Sequence, residues 1–268
     1  MAILEMFKKG GKPVVKTKSK PQVVKHVQQK KVIHKPVKKV ATKHHVTAPV
    51  KHIESAPKLP QVVKIPDEKA YEIFKDAKFP IVPFAFVKRD KDIADVLKKI
   101  KPPIVMKVSG QSIIHKTEVG GIIKNINSEI AAIDAFNKLM AIKGAEKVMI
   151  QKQVSGMELI VGAKSDQQFG YIVSVGLGGI FVEVLKDVTF RVAPITTTEA
   201  ASMIRELKGY EILAGARGAA PINFEALYDV LTKVSRLVGT AKLKELDINP
   251  LFCTAEGCWA ADIRAIKQ

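Results

Sequence analysis

The chain has 268 residues, 47% of them hydrophobic, which is enough for a packed core and one large or two small domains. No uninterrupted apolar run approaches the ~20 residues of a membrane helix, and the opening MAILEMFKKGGK lacks the apolar core and cleavage site of a secretory signal, so a cytoplasmic protein that is not integral to a membrane is expected. The formal charge of +18 would suggest a nucleic-acid binder if it were spread over a fold, but residues 1–64 hold 16 Lys and 2 Glu, leaving 28 basic against 24 acidic residues in the remainder.

Residues 1–64 repeat short units of Lys, Val, Pro, Gln, Thr and His, with prolines at 13, 21, 36, 49, 57 and 60 and no aromatic residue beyond Phe7. Prolines forbid a long helix, and self-repelling lysines without large apolar groups do not offset the entropy of ordering. The segment reads as a disordered basic tail. Charge alone would let it meet nucleic acid, an anionic surface or an acidic partner, and a plain solvating extension is an equal reading. The folded domain is expected over 65–268.

Beyond Pro66, helical periodicity predicts helices over Asp67–Ala77, Asp90–Ile100, Ala131–Lys143, Thr198–Leu207 and Asn223–Val238, the last with Phe224, Leu227, Leu231, Val234 and Leu237 on one face. Strands are expected at Ile104–Val108, Lys147–Val154, Glu158–Lys164, Tyr171–Val175, Val188–Val192, Glu245–Asn249 and Trp259–Arg264. Short turns such as Ser155–Gly156 imply hairpins, and the class is α+β rather than a regular βαβ alternation. The two cysteines, Cys253 and Cys258, have no second pair to complete a metal site, and reduced structural thiols are expected.

Four stretches hold residue types suited to chemistry. In PPIVMKVSG, Lys107 sits in a β-rich run, where it either reaches solvent or meets nucleotide phosphates. In VGLGG, Gly176, Gly178 and Gly179 could let backbone N–H groups approach a phosphate, with Glu183 following; glycine turns between strands are also commonplace. In ELDINPLFCTAEGCWAADIR, a hairpin about Glu256 and Gly257 would return Asp262 to Asn249, on the strand face shared with Asp247. That gathers oxygen ligands as Mg²⁺ requires, although Asp and Asn also form turns. In SIIHKTEVGG stands His115, the one histidine outside the tail. An imidazole on a loop can accept a phosphoryl group and pass it on, or be an ordinary surface residue.

In this order the stretches IVMKVSGQSIIHKTEVGG, KQVSGMELIVGAKSDQQFG, VGLGGIFVEVLKDVTFRVAP, LAGARG and ELDINPL resemble the ATP-grasp β subunit of ADP-forming acetyl-CoA (acyl-CoA) synthetases, over about residues 66–267. The resemblance implies an ATP-grasp fold, two α+β subdomains clasping the nucleotide, and an acid–CoA ligase (ADP-forming). The reaction it implies is acyl-CoA, ADP and phosphate giving acid, CoA and ATP.

It also implies roles. Lys107 matches the phosphate-binding lysine, Asn249 and Asp262 the Mg²⁺ ligands, Asp247 an acidic residue near the phosphohistidine station, and His115 the transiently phosphorylated histidine. Gln151, Lys152, Gln153 and Val154 match the adenine hinge, with Glu158 close by, and Gly176, Gly178 and Gly179 the glycine loop. ATP/ADP and Mg²⁺ are implied, as is an α subunit carrying the CoA-binding domains and the first phosphohistidine. Other readings are a subunit similar to succinyl-CoA synthetase, another ATP-grasp ligase, or a non-catalytic grasp domain tethered by its tail.

Overall fold

In a computed structural model of the chain, the described residues are 63–113, 115–179 and 186–267. The tail reading of 1–62 and the candidate Glu183 lie outside them. Val63 and Lys64 do not belong with the tail. They form β1 (Val63–Lys64), antiparallel to the last strand, so the fold includes two residues that the sequence boundary at 65 left out.

Among the described residues two antiparallel sheets organise the fold. The smaller contains β2 (Phe84–Val87), β3 (Ile104–Ser109), β4 (Ile122–Ile126) and β5 (Lys147–Lys152), in the order β2-β5-β3-β4. The larger contains β6 (Met157–Asp166), β7 (Gly170–Leu177), β8 (Val188–Ala193), β9 (Leu243–Cys253), β10 (Cys258–Ala260) and β11 (Ile263–Lys267), in the order β1-β11-β9-β6-β7-β8, with β10 pairing β9. The helices are α1 (Asp67–Asp76), α2 (Ile93–Lys99), α3 (Glu129–Met140), α4 (Thr197–Arg205), the single turn α5 (Tyr210–Leu213) and α6 (Phe224–Thr240). No helix among the described residues is long and apolar enough to cross a membrane.

The helices start where local chemistry satisfies their free N–H groups. Ser128 Oγ accepts from Ala131 N at the start of α3, and Asn223 Oδ1 accepts from Ala226 N at the start of α6. Thr196 and Glu199 form a reciprocal capping box at α4. The expected apolar face of α6 is real. Leu227, Leu231, Val234 and Val238 are fully buried against the larger sheet, and Leu237 packs at its margin. A separate apolar cluster fills the smaller sheet's layer, joining Met106 and Ile150 to Leu97, Phe136 and Leu139 of α2 and α3. Each sheet therefore owns a core. Residues 153–156 link β5 of the smaller sheet to β6 of the larger.

The cysteines correct the sequence reading. β10 turns back on β9 with Cys258 directly opposite Cys253, Cα atoms 4.1 Å apart, and the two are joined in a disulfide. The five-residue spacing puts them in register across a hairpin, which side-by-side thiols in a loop would not be.

Candidate active site

A cavity of about 870 Å³ is lined by β3 and β5 of the smaller sheet and by β6, β9 and β11 of the larger. Lys107, at the middle of β3, is 5% exposed. Its ammonium donates to Gln151 Oε1 of β5 at 2.9 Å and to the carbonyl of Ala261 at 2.7 Å. Burial pulls its pKa down to about 8; Asp262 opposes that shift, while Lys116 and Lys124 add to it. A buried lysine so held is short of negative charge, and an incoming phosphate would supply it.

β9 and β11 bring the acidic side in. They pair with Ile263 opposite Ile248 and Arg264 opposite Asp247, so Asp262 returns beside Asn249, whose N–H donates to the Asp262 carbonyl at 3.0 Å. Asp247, Asn249 and Asp262 all line the cavity. Asp247 is pushed up from the usual carboxylate range chiefly by burial, against the pull of Arg264, and its Oδ1 accepts no hydrogen bond among the described residues. Asp262 is the opposite case. Burial works against its charge, yet Lys116 and Lys107 hold it below the usual range.

Asn249 and Asp262 offer a hard, oxygen-only donor pair that fits Mg²⁺, an ion that commonly takes one or two protein oxygens and completes its shell from phosphates and water. Among the described residues no group of three or more His, Cys, Asp or Glu converges on a metal position.

His115 is half-buried and faces the cavity from the loop between β3 and β4. Both ends of the loop are stitched down. Val108 N donates to the Gly121 carbonyl, and Gly121 N to the Lys116 carbonyl. At its start, Gly110 packs so closely on the 142–145 turn that a Cβ would lie 2.0 Å from the Gly144 carbonyl oxygen. Gly110→Ala should therefore lose about 1–3 kcal/mol of unfolding free energy in a urea titration. A change within a few tenths would mean that the loop base adapts freely.

Gln151, Lys152, Gln153, Val154 and Glu158 also line the cavity. Lys152 N donates to the Pro83 carbonyl and Gln153 N to that of Pro103, and the Gln153 amide forms two hydrogen bonds of 2.7 Å with Asn125. The segment 151–154 is thus braced on both sides.

The glycines divide. Gly179 reaches the cavity, but Gly176 and Gly178 do not line it. A Cβ at Gly176 would meet the Asp187 carbonyl at 2.6 Å, and one at Gly178 the Glu158 carbonyl at 2.9 Å, where Gly178 N already donates at 2.7 Å. Close packing of backbone on backbone explains these two glycines.

The ATP-grasp domain model matches residues 63–266. The chain is 43% identical over 209 residues, 75% of its length and 90% of the relative's, to the β subunit of acetate–CoA ligase (ADP-forming) I of Pyrococcus furiosus. It belongs to the ATP-grasp β subunits of the ADP-forming acetate–CoA ligases. Its fold is similar to that of the dinucleotide-forming acetyl-coenzyme A synthetase 1 of Candidatus Korarchaeum cryptofilum in complex with coenzyme A and Ca-AMPCP, with a TM-score of 0.72, 31% identity, and coverage of 77% of this chain and 94% of that one. A second structure of that enzyme, with coenzyme A and Mg-AMPPCP, has its phosphohistidine segment pointing towards the nucleotide site; it matches with a TM-score of 0.67 and 32% identity, over 76% of this chain and 93% of that one.

Among the cavity residues of this ATP-grasp subunit that escaped the sequence reading are Lys64, Asp67, Lys116 and Arg264. Lys116 directly follows His115, and Arg264 lies two positions after Asp262, so both stood inside stretches already singled out. Asp67 looked like an ordinary first-turn acid of α1, where negative charge is common.

Proposed function

We propose that the chain is the nucleotide-binding β subunit of an ADP-forming acid–CoA ligase, and that His115 carries a phosphoryl group between a partner subunit and ADP. The observation that supports this best is convergence: a loop histidine, a buried lysine short of negative charge and an Asn/Asp oxygen pair line one cavity. The name and coverage of the Pyrococcus relative, a β subunit matched over 90% of its length, support an α subunit as partner. That partner would bind CoA and the acid, form the acyl phosphate and load His115.

In the direction of ATP formation, a β-phosphate oxygen of ADP attacks the phosphorus held on the His115 ring nitrogen. The new P–O bond forms as the P–N bond breaks, and the ring nitrogen keeps the bonding electron pair, leaving neutral imidazole. Lys107 neutralises phosphate charge and orients the acceptor, and the braced hinge 151–154 holds the base end. Asn249 and Asp262 would hold Mg²⁺, which supplies further charge neutralisation at the phosphates when bound. Asp247, which lines the same cavity with an Oδ1 that accepts no hydrogen bond among the described residues, would be the acidic residue near the histidine station.

The test is to incubate the chain, with its α subunit, in γ-labelled ATP and map acid-labile phosphate. Label on His115 that is discharged by ADP is the expected result. Full turnover with no label on His115 would remove the relay from the mechanism.

A further inference from the structure

Lys116 has a side chain only 9% exposed, and its ammonium stands between two carboxylates. It donates to Asp262 Oδ1 at 2.9 Å and lies 3.5 Å from Asp67 Oδ2. Asp67 Oδ2 is buried and accepts no hydrogen bond among the described residues, although its sister oxygen pairs with Lys64 at 2.9 Å. Lys64 in turn donates to the carbonyl of Ile113, two residues before His115, at 2.9 Å. The histidine loop is thus held by one ammonium of its own and one beneath it. Asp67 Oδ2 is the longer-range ion-pair partner of Lys116, with no hydrogen bond yet closed on it.

Asp262 is 23% exposed, with its free surface on the cavity, and is the carboxylate assigned above to Mg²⁺. An ammonium and a divalent cation on one carboxylate repel each other strongly in a buried site. An ammonium forced off Asp262 with no other acceptor would be a buried, unpaired charge, the costliest arrangement available. Asp67 Oδ2 is the acceptor at hand, and closing 3.5 Å to a normal hydrogen bond of about 2.9 Å needs only side-chain motion.

We infer that Lys116 is a positioning residue that exchanges acceptors: it sits on Asp262 until the nucleotide-bound cation takes that carboxylate, then passes to Asp67, so that the His115 loop stays docked in both states. The inference rests on the reading of Asp262 as a metal ligand. Asp67, 48 positions before the histidine it serves, touches no reacting atom and acts through Lys116.

The test uses the full chain with Mn²⁺ and the non-hydrolysable AMPPCP, reading Mn²⁺ affinity by electron paramagnetic resonance and amide hydrogen exchange over residues 110–121. In the unsubstituted chain, exchange protection of the loop should be the same with and without the cation. Asp67→Asn should keep that protection without Mn²⁺, lose about tenfold of it when Mn²⁺ binds, and bind Mn²⁺ about tenfold more weakly. Lys116→Met should lose loop protection in both states while binding Mn²⁺ at least as tightly as the parent chain.

Asp67→Asn that binds Mn²⁺ and keeps its loop protected overturns the exchange. Should Asp67→Asn fail to fold, Lys116→Met decides, because a loop still protected in that variant is equally fatal. Asp262→Asn separates the two readings. Unchanged Mn²⁺ affinity there removes the metal assignment and the exchange with it, whereas weakened affinity alongside an indifferent Asp67→Asn removes the exchange alone.

Discussion

His115→Asn should reduce acid- and CoA-dependent ATP turnover of the reconstituted enzyme by about three orders of magnitude or more, with ADP affinity changed less than about twofold. Asparagine keeps the polarity and roughly the bulk of the ring's inner half but offers no nitrogen nucleophile, so a phosphoryl group has nowhere to rest on the loop. The loop itself should persist, because its anchors are elsewhere. Val108, Gly121 and the Lys64 contact to Ile113 involve no imidazole atom. Steady-state turnover and ADP titration calorimetry check the two halves separately. Turnover near that of the parent enzyme would mean that the phosphoryl group passes directly between substrates, as in ligases that need no histidine relay. A joint loss of turnover and ADP affinity would instead point to a collapsed cavity wall.

Lys107→Met should raise the dissociation constant of ADP by about ten- to a hundredfold, since a charge-assisted hydrogen bond to phosphate is worth about 1.5–3 kcal/mol. The same substitution should not cost stability near neutral pH. With its pKa near 8 against 10.5 for an ordinary lysine, Lys107 is charged at a loss on the order of 3 kcal/mol wherever both folded and unfolded chains hold the proton. Its hydrogen bonds to Gln151 and Ala261 offset part of that figure.

The pH dependence has a definite sign. Below about pH 8 both states are protonated and the loss is present in full. Between about pH 8 and 10.5 the unfolded chain binds the extra proton, so the parent chain gains stability relative to Lys107→Met as pH rises. Urea titrations at about pH 7 and about pH 9.5 measure that relative gain. Nucleotide binding moves the other way, because ADP needs the ammonium: the parent chain's ADP affinity should fall above about pH 8 while the methionine variant's stays flat. Parallel profiles for the two proteins would mean that Lys107 does not meet the phosphates.

Much of this was legible in the chain itself because it depends on short-range patterns. The 3.6-residue periodicity of 223–238 marked α6 within two residues at either end, whereas the caps Ser128, Thr196 and Asn223 were not singled out in the sequence. The hairpin that returns Asp262 to Asn249 needed only a turn at Glu256–Gly257 and two β-rich flanks. The ordered motifs around Lys107, His115 and Asn249 carried the family, and with it the grasp fold. What escaped was weak by the same measure. β2 and β4 are edge strands of four and five residues, mostly half-exposed, with too little apolar alternation to stand out.

By itself, then, the sequence determined the longer helices, the long central strands, the nearly charge-balanced domain behind a basic amino-terminal segment, and the candidate identities of the phosphate-handling residues. Only the tertiary structure decided what those residues touch. Lys107 finds its partners 44 and 154 positions away, Lys116 its carboxylate 146 positions away, and Lys64 its carbonyl 49 positions away. It also moved the start of the fold back to Val63, joined Cys253 to Cys258, and showed Gly176 and Gly178 in close backbone packing away from the cavity lining. The physical reason is shared by the charged groups. Burial and pairing are properties of which surfaces meet, and two sheets built from distant segments meet here around one cavity, so the charge state of Lys107, Lys116, Asp247 and Asp262 is set by neighbours that no local window contains.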